Sequence, residues 1–200
     1  MLASSSPRRR ELLASLGLPF TVRPVHLDET PRPAEPPRDY VERLAREKAA
    51  ADARDGELVI AADTVVVLPG GEADRPALLG KPADAAEALA MLARLAGREH
   101  LVLTGVALEE PADGGPPRRV AAVVTSRVRL AALSPPEIEW YVASGEPLDK
   151  AGAYAIQGLG ALFVEAVEGN YTNVVGLPLP AVYRLFAELG HDLRGFLAGP

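Results

Sequence analysis

The chain has 200 residues, 48% hydrophobic and 24% charged, with a formal net charge of −6 and no cysteine. Such a chain can build a sizeable core, and the missing thiols exclude disulfides, thiolate catalysis and Cys-ligated zinc. The acidic balance argues against a general nucleic-acid binder, and no apolar run is long enough for a membrane span.

The first predicted element is a helix in SSSPRRRELLASLG, with Ser6 as N-cap, Pro7 as its first residue and Gly17 as its stop. Its first turn carries Arg8, Arg9 and Arg10, although a helix N-terminus holds a positive partial charge and unpaired N–H groups. Either an anion bonds those N–H groups and neutralises the arginines, or the arginines splay into solvent where screening is effective.

FTVRPV, residues 20–25, alternates like a half-buried strand, and a proline-rich loop follows. Residues 38–54 are predicted as a helix with Val41, Leu44, Ala45 and Ala49 on one face. ELVIAADTVVVL is a buried strand interrupted by Asp63 and Thr64, and the turn-rich PGGEADRPALL and GKP lead to a helix over 83–97. HLVLTGVALEE and RRVAAVVTSRVRLAAL form an expected β-hairpin joined by PADGGPP, and SPPEIEWYVASG is a capped helix. Residues 149–179 are punctuated by glycine and have strand content, and PAVYRLFAELG closes with Val182, Leu185, Phe186 and Leu189 at helical spacing. The expected fold is α/β, a mixed sheet flanked by helices with a deep substrate cleft. The whole of 1–200 is expected to be a single domain, with two lobes around that cleft as the variant form.

Asp63 is the sharpest chemical signal. A carboxylate inside a buried apolar run must be paired, bound to metal or put to use, unless it ends the strand and caps a turn. Lys48 and Lys81, taken one at a time, are ordinary solvated lysines, and Asp28–Glu29 is either a hard-oxygen metal site or two exposed acids. His26, His100 and His191 have no metal-ligand spacing and are expected on the surface or in loops. In DKAGAYAIQGLG, glycines and alanines around Tyr154 and Gln157 either admit a ligand to the backbone or make a structural turn. This GLG lacks the dinucleotide fingerprint, LLGKPA lacks the Ser or Thr of a P-loop, and SSSPR is no nucleophile elbow. A cationic helix start, two lysines, two sets of acids and a polar glycine-rich stretch together suit a metal-bound polyphosphate.

LASSSPRRRELL, RLAREKA, AADTVV, GKP, EPLDKAGAYAIQG and VVGLPL occur in this order along almost the whole chain, which resembles the Maf family of nucleoside triphosphate pyrophosphatases. The AGAYAIQG wording is similar to the branch that hydrolyses dTTP and UTP. The resemblance implies a fold related to inosine triphosphate pyrophosphatase, hydrolysis to a nucleoside monophosphate and pyrophosphate, and a divalent cofactor, Mg²⁺ or Mn²⁺. By motif it makes Asp63 the general base and Arg9, Thr64 and Gln157 the specificity positions. Ser4, Arg8, Lys48 and Lys81 fall at phosphate contacts, and Glu29 with Asp63 at the metal. It further implies a cytoplasmic homodimer whose partner is the nucleoside triphosphate, without nucleic acid or membrane. The alternatives are the same chemistry on a modified purine triphosphate such as 7-methyl-GTP, and a non-catalytic nucleotide-binding regulator of septum formation.

Overall fold

The computed structural model describes residues 1–54, 56–70, 76–112 and 115–197. Its helices are α1 (Pro7–Ser15), α2 (Pro37–Ala50), α3 (Ala85–Leu95), α4 (Pro135–Ala143), α5 (Tyr171–Val175) and α6 (Leu179–Glu188). Its strands are β1 (Val59–Leu68), β2 (Ala77–Leu79), β3 (Glu99–Glu110), β4 (Arg118–Leu130) and β5 (Val164–Glu168). They form one antiparallel sheet in the order β2-β1-β3-β4-β5, and among the described residues parallel pairing enters only where Leu2 bridges Val22 and Ile60. The α/β class therefore holds, with the mixed character confined to those bridges.

Local chemistry fixes the helix starts. Ser6 caps α1 by accepting from the Arg9 N–H, Asp84 caps α3 by accepting from the Glu87 N–H, and Ser134 with Glu137 forms a capping box on α4. Residues 20–25 make no strand, since only Val22 pairs, and β2 forms within the stretch expected to be turns. Residues 71–75 of that stretch, and Asp113 and Gly114 in the expected hairpin turn, lie outside the described residues.

The chain divides into two compact units, each with its own apolar cluster. The first unit comprises 1–63, 104–124 and 176–200, and its cluster joins Leu2, Leu13, Ile60, Val106 and Leu108 to Val182, Leu185, Phe186 and Leu189 of α6. Each such fully buried side chain contributes about 1.5–3 kcal/mol of transfer free energy. A smaller cluster of Ala3, Ala45, Ala49, Val59, Ala61 and Ala107 seats α2 in the same unit. The second unit comprises 64–103 and 125–175, and its cluster packs Met91, Leu92 and Leu95 of α3 with Val66, Val128, Leu130 and Tyr141. His100 is fully buried in this unit, correcting the expectation of a surface or loop position. It lies within β3, and its Nε2 is 2.7 Å from the Tyr154 hydroxyl.

Candidate active site

β1 runs unbroken through Asp63, so this carboxylate does not end the strand to cap a turn. Asp63 is 7% exposed, and its Oδ1 accepts a 2.7 Å hydrogen bond from Lys48 Nζ. Lys48 is itself buried, which overturns its reading as a solvated lysine. It stands seven residues after Val41 and four after Leu44, on the buried face of α2. The same ammonium reaches Glu29 Oε1 at 2.6 Å, so one cation joins the two carboxylates. Burial pushes the Asp63 carboxyl above its ordinary range, and Lys48 and Arg9 oppose that shift without cancelling it. The outcome is a carboxylate more basic than usual, held in place by an ammonium.

The loop carrying Glu29 is fastened to α2. The Tyr40 hydroxyl donates to the Glu29 carbonyl at 2.9 Å, and Arg43 makes a two-pronged contact to Glu35 with distances of 2.6 and 2.7 Å. Burial and the nearby Asp63 and Glu29 charges push the Tyr40 phenol up to about 12, so it remains a donor at neutral pH. Asp28 turns away into local structure, accepting from the Thr30 N–H at 2.9 Å.

The N-terminal motif meets the same place. Arg9 Nε donates to the Gly176 carbonyl at 2.7 Å, and its Nη1 donates to the Ala62 carbonyl at 2.8 Å and to Ser4 Oγ at 3.3 Å. Carbonyl dipoles thus stabilise a cation that opposes the α1 dipole, while Arg10 is exposed. Burial lowers the Arg9 pKa, with Asp63 acting in the other direction. Ser4 is buried, and its oxygen also accepts from the Ser6 N–H at 3.2 Å.

A family model described as Maf-like protein matches residues 1–189. The chain belongs to the Maf family. The dTTP/UTP pyrophosphatase of Anaeromyxobacter sp. (strain Fw109-5) is 55% identical to it over 193 residues, covering 96% of this chain and 90% of the relative. The protein of the same description from Myxococcus xanthus (strain DK1622) is 54% identical over 195 residues, covering 96% and 93%. That from Moorella thermoacetica is 52% identical over 197 residues, covering 98% and 97%.

Within this Maf chain, the first unit brings together Ser4, Arg9, Glu29, Lys48 and Asp63, with half-buried Arg8 on α1. Thr64, Lys81 and Gln157 belong to the second unit, where Thr64 is half-buried and Lys81 and Gln157 are exposed. No group of three or more acids, histidines or cysteines is arranged for a metal among the described residues. Glu29 and Asp63 fit Mg²⁺ or Mn²⁺ in the sense that such ions commonly use one or two carboxylates, completing their shell with water and phosphate oxygens. Tyr40 and Arg43, which hold the Glu29 loop, were not singled out in the sequence, although their 3-residue spacing along α2 was a visible signal of a shared edge.

The glycines of AGAYAIQGLG answer to the protein itself. A Cβ on Gly158 would stand 2.4 Å from Glu146 Oε2, and one on Gly160 would stand 2.3 Å from the Ala155 carbonyl and 2.5 Å from the Tyr141 hydroxyl. This stretch is a sequence of short 3₁₀ turns, and β5 begins only at Val164.

Proposed function

We propose that this chain hydrolyses the α–β phosphoanhydride of dTTP and UTP, releasing the nucleoside monophosphate and pyrophosphate. The observation that carries the reading is the buried, base-strengthened Asp63 held by Lys48 beside Glu29. The activity named for relatives at 52–55% identity, dTTP/UTP pyrophosphatase, supports the substrate class.

Asp63 accepts a proton from a water as the water oxygen attacks the α-phosphorus, and the P–O bond to the departing pyrophosphate breaks. Lys48 keeps Asp63 ionised and in position for that transfer. Ser4, Arg8, Lys48 and Lys81 take phosphate oxygens, stabilising the charge that grows on the leaving pyrophosphate. Glu29 and Asp63 would hold a divalent ion, which when bound neutralises triphosphate charge. Arg9, Thr64 and Gln157 set specificity. Gln157 offers a donor and an acceptor, matching the acceptor–donor–acceptor edge of uracil and thymine, whereas cytosine carries an amino group in place of one acceptor. The homodimer and cytoplasmic location rest on the family resemblance; no described helix is long and apolar enough to cross a membrane.

A panel of nucleoside triphosphates with Mg²⁺ or Mn²⁺, scored for pyrophosphate against orthophosphate, tests the reading. Pyrophosphate from dTTP and UTP, lost in Asp63→Asn, is expected. Orthophosphate release, or turnover indifferent to Asp63, would overturn it.

A further inference from the structure

Two side chains that none of the proposed chemistry uses converge on the segment carrying Gln157. Glu146 Oε1 accepts from the Gly160 N–H at 2.9 Å and from the Tyr141 hydroxyl at 2.8 Å, and Oε2 accepts from the Leu159 N–H at 2.9 Å. The Tyr141 oxygen in turn accepts from the Ala155 N–H at 3.1 Å. The chain is therefore held immediately before and immediately after Ile156, Gln157 and Gly158, at two points tied to one carboxylate. Tyr141 is fully buried on α4 and meets the Phe163 ring edge-on at 5.3 Å, which roots this attachment in the core of the second unit. Lys150 Nζ, donating to the Glu146 carbonyl at 3.0 Å, fixes the backbone from which the carboxylate projects.

We infer that Glu146, with Tyr141, is a positioning residue for base selection, holding the three-residue loop so that the exposed Gln157 amide is presented in one orientation. The inference rests on the reading of Gln157 as the base-recognising group. A hydrogen-bonding amide discriminates between uracil and cytosine only while its donor and acceptor are fixed, because a loop free to rotate can offer either group to either base. Glycine is required at 158 and 160 by the same arrangement, since side chains there would occupy the space of the Glu146 carboxylate and the Tyr141 hydroxyl. Although burial alone would raise the Glu146 pKa, the N–H groups of Gly160 and Leu159, the Tyr141 hydroxyl and Lys150 together hold it below its ordinary range. The acceptor form therefore persists throughout neutral pH. Three donors converge on this carboxylate, and an amide in its place has an acceptor on one side only, so Glu146→Gln sets an NH₂ against a backbone N–H.

The test measures kcat and KM for UTP and CTP, with thermal midpoints, in wild type, Glu146→Gln, Tyr141→Phe, Gln157→Ala and both combinations with Gln157→Ala. The UTP-over-CTP preference in kcat/KM is expected to fall on the order of tenfold or more in Glu146→Gln, mainly through KM for UTP. Tyr141→Phe should produce a smaller fall in the same direction, and it carries the test if Glu146→Gln does not fold. Neither substitution should lower the preference further once Gln157 is alanine. An unchanged preference in both Glu146→Gln and Tyr141→Phe, with Gln157→Ala losing it, overturns the positioning role and leaves the base reading intact. Equal losses with and without Gln157 also overturn it, since the effect would not pass through that residue. An unchanged preference in Gln157→Ala removes the base reading, and the positioning role falls with it.

Discussion

Gly105 tests the placement of Lys48 without touching it. It lies in β3, and a Cβ built there would stand 2.2 Å from the Val41 carbonyl oxygen, 2.5 Å from its carbon and 2.9 Å from the Glu42 nitrogen. These three nearest atoms are all backbone of α2, so no flexible side chain end can swing aside to relieve them. Ordinary contact begins at 3.4 Å, and Gly105→Ala must therefore push α2 and β3 apart by about 1 Å. Such overpacking costs about 1–3 kcal/mol, and backbone against backbone belongs at the upper end. Alanine recovers about 0.4–1 kcal/mol by restricting the unfolded chain, leaving a net loss of about 2 kcal/mol. For a chain of this size that lowers Tm by about 4–8 °C.

The same displacement travels along α2 to Lys48, whose bonds to Asp63 and Glu29 are 2.7 and 2.6 Å long. Adding about 1 Å to either removes it from hydrogen-bonding range, and misplacement on that scale lowers kcat/KM by up to about a hundredfold. Calorimetry or urea unfolding reads the first effect, and pyrophosphate release from dTTP reads the second. A Tm within about 1 °C of wild type together with unchanged kcat/KM would refute the reasoning on both counts.

Two further outcomes follow from buried titrating groups. The raised pKa of Asp63 means that ionising it costs more in the fold than in the unfolded chain, so stability is lost as pH rises through the folded pKa. At neutral pH Asp63→Asn should therefore melt no lower than wild type while losing about 10²–10⁴-fold in rate, and the acidic limb of wild-type kcat/KM should lie above the ordinary value of 3.8. A clearly lower Tm in the variant would contradict this. Burial pushes His100 down to about 4 from an ordinary 6.5, so the unfolded chain takes up its proton first and stability drains away as pH falls through that window. At pH 5 this costs about 2 kcal/mol relative to pH 7.5, and the difference should vanish in His100→Gln; equal acid sensitivity in urea midpoints would count against it.

Signals carried by neighbouring residues were legible in the sequence. Ser6-Pro7 starts α1, the Ser134 and Glu137 capping box starts α4, and the i, i+3, i+4 spacing of Val182, Leu185 and Phe186 gives the buried face of α6. The burial of Lys48 was also encoded, because its spacing from Val41 and Leu44 puts it on their face, but a charged residue type is normally taken for the solvated side. What depends on partners distant in sequence was hidden. β2 needs only three residues, paired with the far end of β1, and the strand expected over 20–25 shrinks to the bridge between Val22 and Leu2. On sequence alone Arg9 suits either an anion contact or solvent, and nothing local indicates that carbonyls of Ala62 and Gly176 take its guanidinium. On sequence alone the glycines at 158 and 160 suit either an opening for a ligand or a structural turn, and the groups that exclude their side chains lie up to about twenty residues upstream.

The Arg9 contact also bears on the order of events during synthesis. Its acceptor on Gly176 is 167 residues later in the chain, so a ribosome adding about 5–20 residues per second exposes Arg9 roughly ten seconds or more before that carbonyl exists. The second unit uses nothing beyond residue 175, while the first requires the final segment from 176 onward. The unit that holds Asp63 is thus the last to be completed, and the nascent chain has all the residues around Gln157 before the Asp63 carboxylate can be locked into its final surroundings.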